Sequence, residues 1–133
     1  MRGMGACLFY MGRIRVGARM TLSWIEKVQD GVLNYVLKVA ECIVAGARSR
    51  RVSVRVRSLV RYGYAAYVFG TLDFRRIRGL VSRVEPPSYI ANRHFYGRVE
   101  EVLARRFDVR FEDRRGFRYA VFNREKVVFA RVV

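Results

Sequence analysis

TLDFRRIRGLVSRV (71–84), EPPS (85–88), YIANRHFYGRVEEVLARR (89–106) and FDVRFEDRRGFRYAVF (107–122) form one unbroken run in which the hydrophobic period changes from helical to strand-like. Thr71 is placed to cap a helix over 72–84, with Phe74, Ile77, Leu80, Val81 and Val84 on its inner face. Arg75, Arg76, Arg78 and Arg83 take the outer face. Pro86-Pro87 stops that helix, because neither proline has a backbone donor and each restricts the residue before it. Ser88 is then expected to cap a helix over 89–106, with Phe95, Val99, Val102 and Leu103 inward. After Arg106 the residues Phe107, Val109 and Phe111 alternate with Asp108, Arg110 and Glu112. Asp113-Arg114-Arg115-Gly116 has turn composition, and Phe117, Tyr119 and Val121 resume the alternation. The pattern predicts a hairpin with Arg114 and Arg115 at its tip. A further turn at Asn123-Arg124-Glu125 leads to an expected strand over 126–133.

Upstream, a helix is expected over 59–69, with Ser58 as its cap and Gly70 as its stop. Leu59, Val60, Tyr64, Tyr67 and Val68 would turn inward. The segment 48–61, RSRRVSVRVRSLVR, holds six arginines and no acid. Val52, Val54 and Val56 alternate there with Ser53, Arg55 and Arg57, a strand pattern with an arginine face, although the same residues also fit a helix. A short strand or irregular link is the expectation. Over 23–48 the pattern is strongly helical, with Ser23 and Glu26 spaced as a capping box. Ile25, Val28, Val32, Tyr35 and Val39 form one apolar stripe, and Leu33, Leu37, Ala40 and Val44 form a second. Two apolar stripes need two partners. The first is therefore expected to pair two copies of the chain as a homodimer, the alternative being a central core helix in a monomer. The expected division is a basic arm over 1–20, the long helix over 21–50, and the rest over 51–133.

The chain has 133 residues, 27 Lys+Arg against 11 Asp+Glu, and a net charge of +16. Its hydrophobic fraction of 52% supports a core, which excludes low-hydrophobicity disorder. The charge predicts a polyanionic partner. Lys27, Lys38 and Lys126 are the lysines, so the basic side is arginine-rich, a thermophile-like composition. His94 is the single histidine and has no second partner for a relay, and no GxxxxGK or GxGxxG loop occurs. Asp108, Glu112 and Asp113 lie in or beside one hairpin strand, where Asp108 and Glu112 are expected to pair with Arg110 and Arg118 rather than hold a metal. Cys7 and Cys42 lack neighbours at zinc spacing. The expectation is no enzyme, no metal, no cofactor, no small-molecule ligand and no membrane span, in a reducing cytoplasm at the nucleoid.

The run over 58–122 resembles a winged helix-turn-helix DNA-binding domain of the archaeal or bacterial regulator type. TLDFRRIRGLVSRV stands for the second helix, EPPS for the turn, YIANRHFYGRVEEVLARR for the recognition helix and FDVRFEDRRGFRYAVF for the wing. Where winged helices often carry a glycine before the wing, this chain has Arg105-Arg106-Phe107. The resemblance implies an α+β fold of three helices and a wing behind a long N-terminal helix. It implies sequence-specific binding of double-stranded DNA, and a transcriptional regulator acting as a homodimer. Ser88, Tyr89, Asn92, Arg93 and Tyr96 would then face the major groove, with Asn92 suited to adenine and Arg93 to guanine. Arg75, Arg76 and Arg78 would clamp the backbone, and Arg114 and Arg115 would reach the minor groove or backbone. The even spread of arginine keeps two alternatives open: a non-specific packaging or architectural protein of chromatin or a virion, and an RNA-binding protein.

Overall fold

In a computed structural model the described residues are 17–124, with side chains from Trp24 onward. The elements run in the order α1 (Gly17–Gly46), β1 (Arg51–Arg55), α2 (Val56–Phe69), α3 (Phe74–Leu80), a 3-10 turn (Val81–Arg83), α4 (Arg93–Arg106), β2 (Val109–Arg114) and β3 (Phe117–Asn123). The architecture is α+β, helices followed by an antiparallel sheet with a C-terminal hairpin. Of the arm expected over 1–20, residues 17–20 belong to α1, while residues 1–16, Cys7 among them, and the strand expected over 126–133 lie outside the described residues.

α1 begins well before Ser23, which therefore sits inside the helix and not at a capping box. Its apolar stripes both face the chain's own interior. Val28, Val32, Val36 and Val39 are buried, as are Leu33, Leu37, Ala40 and Val44. This corrects the dimerisation reading of Val28, Val32 and Val39, since residues at 0–8% exposure have no surface left for a second copy. Ile25 and Tyr35 are half-buried, and Tyr35 meets Tyr67 edge-on at 6.1 Å. The second partner that two stripes demanded is the rest of the same domain.

α2 crosses α1 at very close range. A Cβ on Gly63 would stand 3.0 Å from both the Cα and the N of Val36, so the absence of a side chain there lets the two backbones meet. Val56, Leu59, Val60, Ala65 and Ala66 are buried along the same helix. Gly70 ends it in the left-handed region, at φ 63°. Ser58 is not the cap: α2 starts two residues earlier, directly from β1, with Arg55 at the N-cap position. Val68, expected inward, is exposed.

α3 is shorter than the 72–84 pattern predicts. Thr71 Oγ1 accepts from Asp73 N, and Asp73 is the cap, accepting from Arg75 N at 3.1 Å. Ile77 is its buried residue, and Phe74 meets Tyr62 of α2 edge-on at 5.3 Å. α4 runs alongside α1 in the same direction, since Arg98 pairs with Asp30 and Arg106 with Glu41, both at 3.1 Å. These exposed pairs contribute about 0–1 kcal/mol each. The register of α4 is held instead by Phe95, Val99 and Leu103, each fully buried. Truncating a buried Phe such as Phe95 to Ala typically costs about 3–5 kcal/mol.

The sheet has the order β1-β3-β2. Arg51 pairs with Asn123 and Arg55 with Tyr119, so the arginine-rich link is an edge strand of the sheet. Val52 and Val54 face inward beside Ala120 and Phe122, and Phe107 closes on Phe122 at 5.2 Å. The hairpin turn is shifted one residue from the expected tetrad: it spans Arg114–Phe117, with Arg115 (φ 50°) and Gly116 (φ 85°) as the two-residue connection of a primed turn. Arg114 is therefore opposite Phe117, within the ladder. Ala120 and Phe122 line the inner face, and Phe117, Tyr119 and Val121 line the outer one. Among the described residues no helix is long and apolar enough to cross a membrane.

Candidate nucleic-acid interface

Three groups of side chains bear on the expected interface: the start of α4, the outer face of α3, and the hairpin. The chain enters α4 through a turn in which Ile90 N and Ala91 N donate to Pro87 O at 2.9 and 2.8 Å. Ser88 is exposed in that turn and does not cap the helix. The cap is Asn92, whose Oδ1 accepts from Phe95 N and whose Nδ2 donates to Ser88 O, both at 2.7 Å. Each end of its amide makes one hydrogen bond within the chain, so Asn92, expected to read adenine, serves here as the cap of α4. Tyr89 is half-buried against Trp24, edge-on at 6.1 Å, and Gln29 Nε2 donates to its carbonyl at 2.8 Å. Burial, with Tyr64 adding, raises the Tyr89 phenol above its ordinary value. Tyr89 anchors the approach to α4 onto α1 and is not a free reading side chain. Tyr96 is half-buried on the core.

The outward side of α4 carries Arg93, His94, Gly97, Glu101, Ala104 and Arg105. Arg93 has no ion-pair partner among the described residues. Arg98 is tied to α1, reaching Asp30 at 3.1 Å and Gln29 at 3.4 Å. A Cβ built on Gly97 would meet nothing within 4 Å, so its bareness answers no packing need among the described residues.

Arg75, Arg76 and Arg78 of α3 are exposed as expected. Arg78 stands by a groove lined by Cys42, Gly46 and Ala47, at the C-terminal end of α1. Tyr89, just before α4, packs near Trp24 and Gln29 at the other end. From Gln29 to Cys42 is about 20 Å along α1, at 1.5 Å rise per residue. The fold therefore separates Arg78 from the start of α4.

The hairpin tip does lie beside α4. Gly116, Phe117 and Arg118 line a hollow of about 240 Å³ together with Tyr96 and Glu100 of α4. Arg118 Nε and NH2 donate to Glu100 at 3.1 Å, and its NH1 donates to Asp113 at 3.2 Å. The Glu100 hydrogen bond, with help from Asp113, raises the Arg118 guanidinium above its ordinary value. Arg118 thus fastens the hairpin to α4 and does not pair with Asp108 or Glu112 as expected. Arg115, at the turn, is exposed and without an ion pair among the described residues. Arg114 is not at the tip: its NH2 is 2.9 Å from Glu112, and it lies 5.1 Å from the Tyr119 ring centroid. That hydrogen bond holds the Glu112 carboxyl below the usual range, and the charges of Arg114, Arg110 and Arg51 lower it further.

No family model, curated protein or solved structure matches this chain. Among the described residues, no group of three or more His, Cys, Asp or Glu side chains is placed to hold a metal ion.

Sequence reasoning missed one group. Arg51, Arg55 and Arg110 share the outer sheet face with Arg114, Phe117 and Tyr119. The alternation in 51–57 was the available signal, but it does not reveal that β1 pairs with β3.

Proposed function

We propose that the chain is a winged helix-turn-helix protein that binds double-stranded DNA sequence-specifically, as a transcriptional regulator does. The supporting observation is the hairpin fastened beside the middle of α4 by Arg118 and Glu100. Gly116, next to Arg115 in the turn, shares a hollow with Tyr96, one turn of α4 from Arg93, and neither arginine has an ion-pair partner among the described residues. α4 enters the major groove, where Arg93 is suited to the two acceptors of guanine. Arg115 reaches the adjacent minor groove or backbone. Arg75 and Arg76 contribute backbone contacts, and the net charge of +16 speeds encounter with the duplex.

Selection of bound fragments from a random duplex library tests this reading. The expected result is an enriched motif bound roughly 10³-fold or more above random duplex. Two half-sites at a fixed spacing would indicate two copies of the chain per site. Binding without any enriched motif would instead favour the packaging reading.

A further inference from the structure

The outer face of the sheet is unused by the duplex reading. β3 runs down its middle, with Phe117 at 41% exposure and Tyr119 half-buried. Arginines flank these rings on both edge strands, Arg51 and Arg55 on β1 and Arg110 and Arg114 on β2. The Arg55 guanidinium stacks 4.0 Å from the Phe117 centroid, while its Nε donates to the Tyr119 hydroxyl at 3.2 Å. Its terminal nitrogens are thereby held in a fixed plane at the surface. Glu112 is the acid in the middle of this face, and it fixes Arg110 and Arg114 at 3.3 and 2.9 Å. Neither Arg51 nor Arg55 has a carboxylate within ion-pair distance among the described residues. Farther along, Val121 is buried between Ser53 and Arg110, its partners on the two edge strands, with Arg51 lining the same hollow.

Positive charge along both edges and aromatic rings between them suit one kind of partner. A duplex turns its bases inward and gives an exposed ring nothing to stack on. A single strand offers bases to stack on the rings and phosphates for the flanking guanidiniums. We propose that the outer sheet face binds single-stranded nucleic acid, with Phe117, Tyr119 and the Arg55 guanidinium stacked on Phe117 as the stacking platform and Arg51, Arg110 and Arg114 on the phosphates. Phe95, Val99 and Leu103 of α4 and Ala120 and Phe122 of β3 are buried in the same core. Among the described residues, the outer sheet face adjoins α4 only at the hairpin tip, where Gly116 and Phe117 share a hollow with Tyr96 and Glu100, while Arg51 and Arg110 lie toward the other end of the sheet.

The test is fluorescence anisotropy of the full chain with a labelled oligothymidylate, repeated in the presence of unlabelled duplex. The wild type is expected to bind the strand and to keep it when duplex is added at equal concentration. Phe117→Ala is expected to weaken strand binding about fivefold or more, the loss of one stacked base, and Phe117→Trp to retain it. Arg51→Ala should flatten the slope of log affinity against log salt by about 0.7, the value for one phosphate contact to a single strand. Arg93→Ala should leave strand binding unchanged. Melting curves of each variant separate lost contacts from lost folding. The proposal is overturned if the wild type does not bind the strand, if folded Phe117→Ala binds it as well as wild type, or if duplex displaces it. Because the α4 surface is not involved, failure of the duplex selection leaves this result standing.

Discussion

The α1–α2 crossing and the outward side of α4 each carry a glycine in mid-helix, and they use it in opposite ways. Gly63 is bare because the Val36 backbone lies against it. Gly97 is bare with open space around it. At the first site the missing side chain is a packing requirement that the fold itself explains. At the second it weakens the helix by roughly 0.8–1.0 kcal/mol relative to Ala without any gain among the described residues. A residue that lowers helix stability where nothing crowds it fits a surface that something else approaches closely.

Four experiments bear on this contrast. Gly63→Ala has the largest expected effect. The new methyl would press on Val36 backbone atoms that cannot swing aside, with an expected loss of about 1–3 kcal/mol in chemical denaturation. A variant as stable as wild type would mean that the helices separate easily. Next, Asn92→Ala should lose about 0.5–2 kcal/mol by uncapping α4, and Asn92→Ser should recover much of it. A stability equal to wild type, with lost sequence preference on DNA, would return Asn92 to base reading. Gly97→Ala should raise stability by about 0.8–1.0 kcal/mol while weakening duplex binding. A gain in stability with unchanged affinity would remove this face from the interface. The smallest effect concerns Tyr89, whose phenol holds its proton more tightly in the folded chain than its ordinary value of 10.0. The stabilisation is therefore complete below pH 10.0 and lost as pH rises through the folded value. Alkaline melts should fall more steeply for wild type than for Tyr89→Phe, and superimposable curves would place the ring in water.

Much of the architecture is legible in the residues because it rests on local periodicity. The helical stripes of α1, α2 and α4, the stop at Gly70 and the hairpin after Phe107 are all of this kind. The failures occur where a distant partner decides. Val28, Val32 and Val39 look like an interface stripe because nothing local says that α2 and α4 will cover α1. The strand period around the hairpin is readable but its phase is not. Phe117, Tyr119 and Val121 share one phase of the alternation, and the two-residue turn, by setting Phe117 opposite Arg114, places that row on the outer face, exposed at Phe117 and buried at Val121. The site follows the same logic. Arg93 and Arg115 keep the exposed positions their context predicts, whereas Asn92 is equally suited to a base and to a helix cap, and backbone geometry assigns it to the cap.

The pairing of β1 with β3 has a consequence in time. Arg55 meets Tyr119 across 64 residues of chain, so β1 leaves the ribosome long before its partner exists. At about 5–20 residues per second, that wait lasts roughly 3–13 s. Through it, Val52 and Val54 lack the β3 residues they lie beside in the folded chain, and an uncovered segment of this kind can recruit neighbouring chains. Arg51 and Arg55 bracket those valines, and like charge on every such segment keeps two of them from docking. The arginines of β1 therefore have work to do before the molecule has a surface at all.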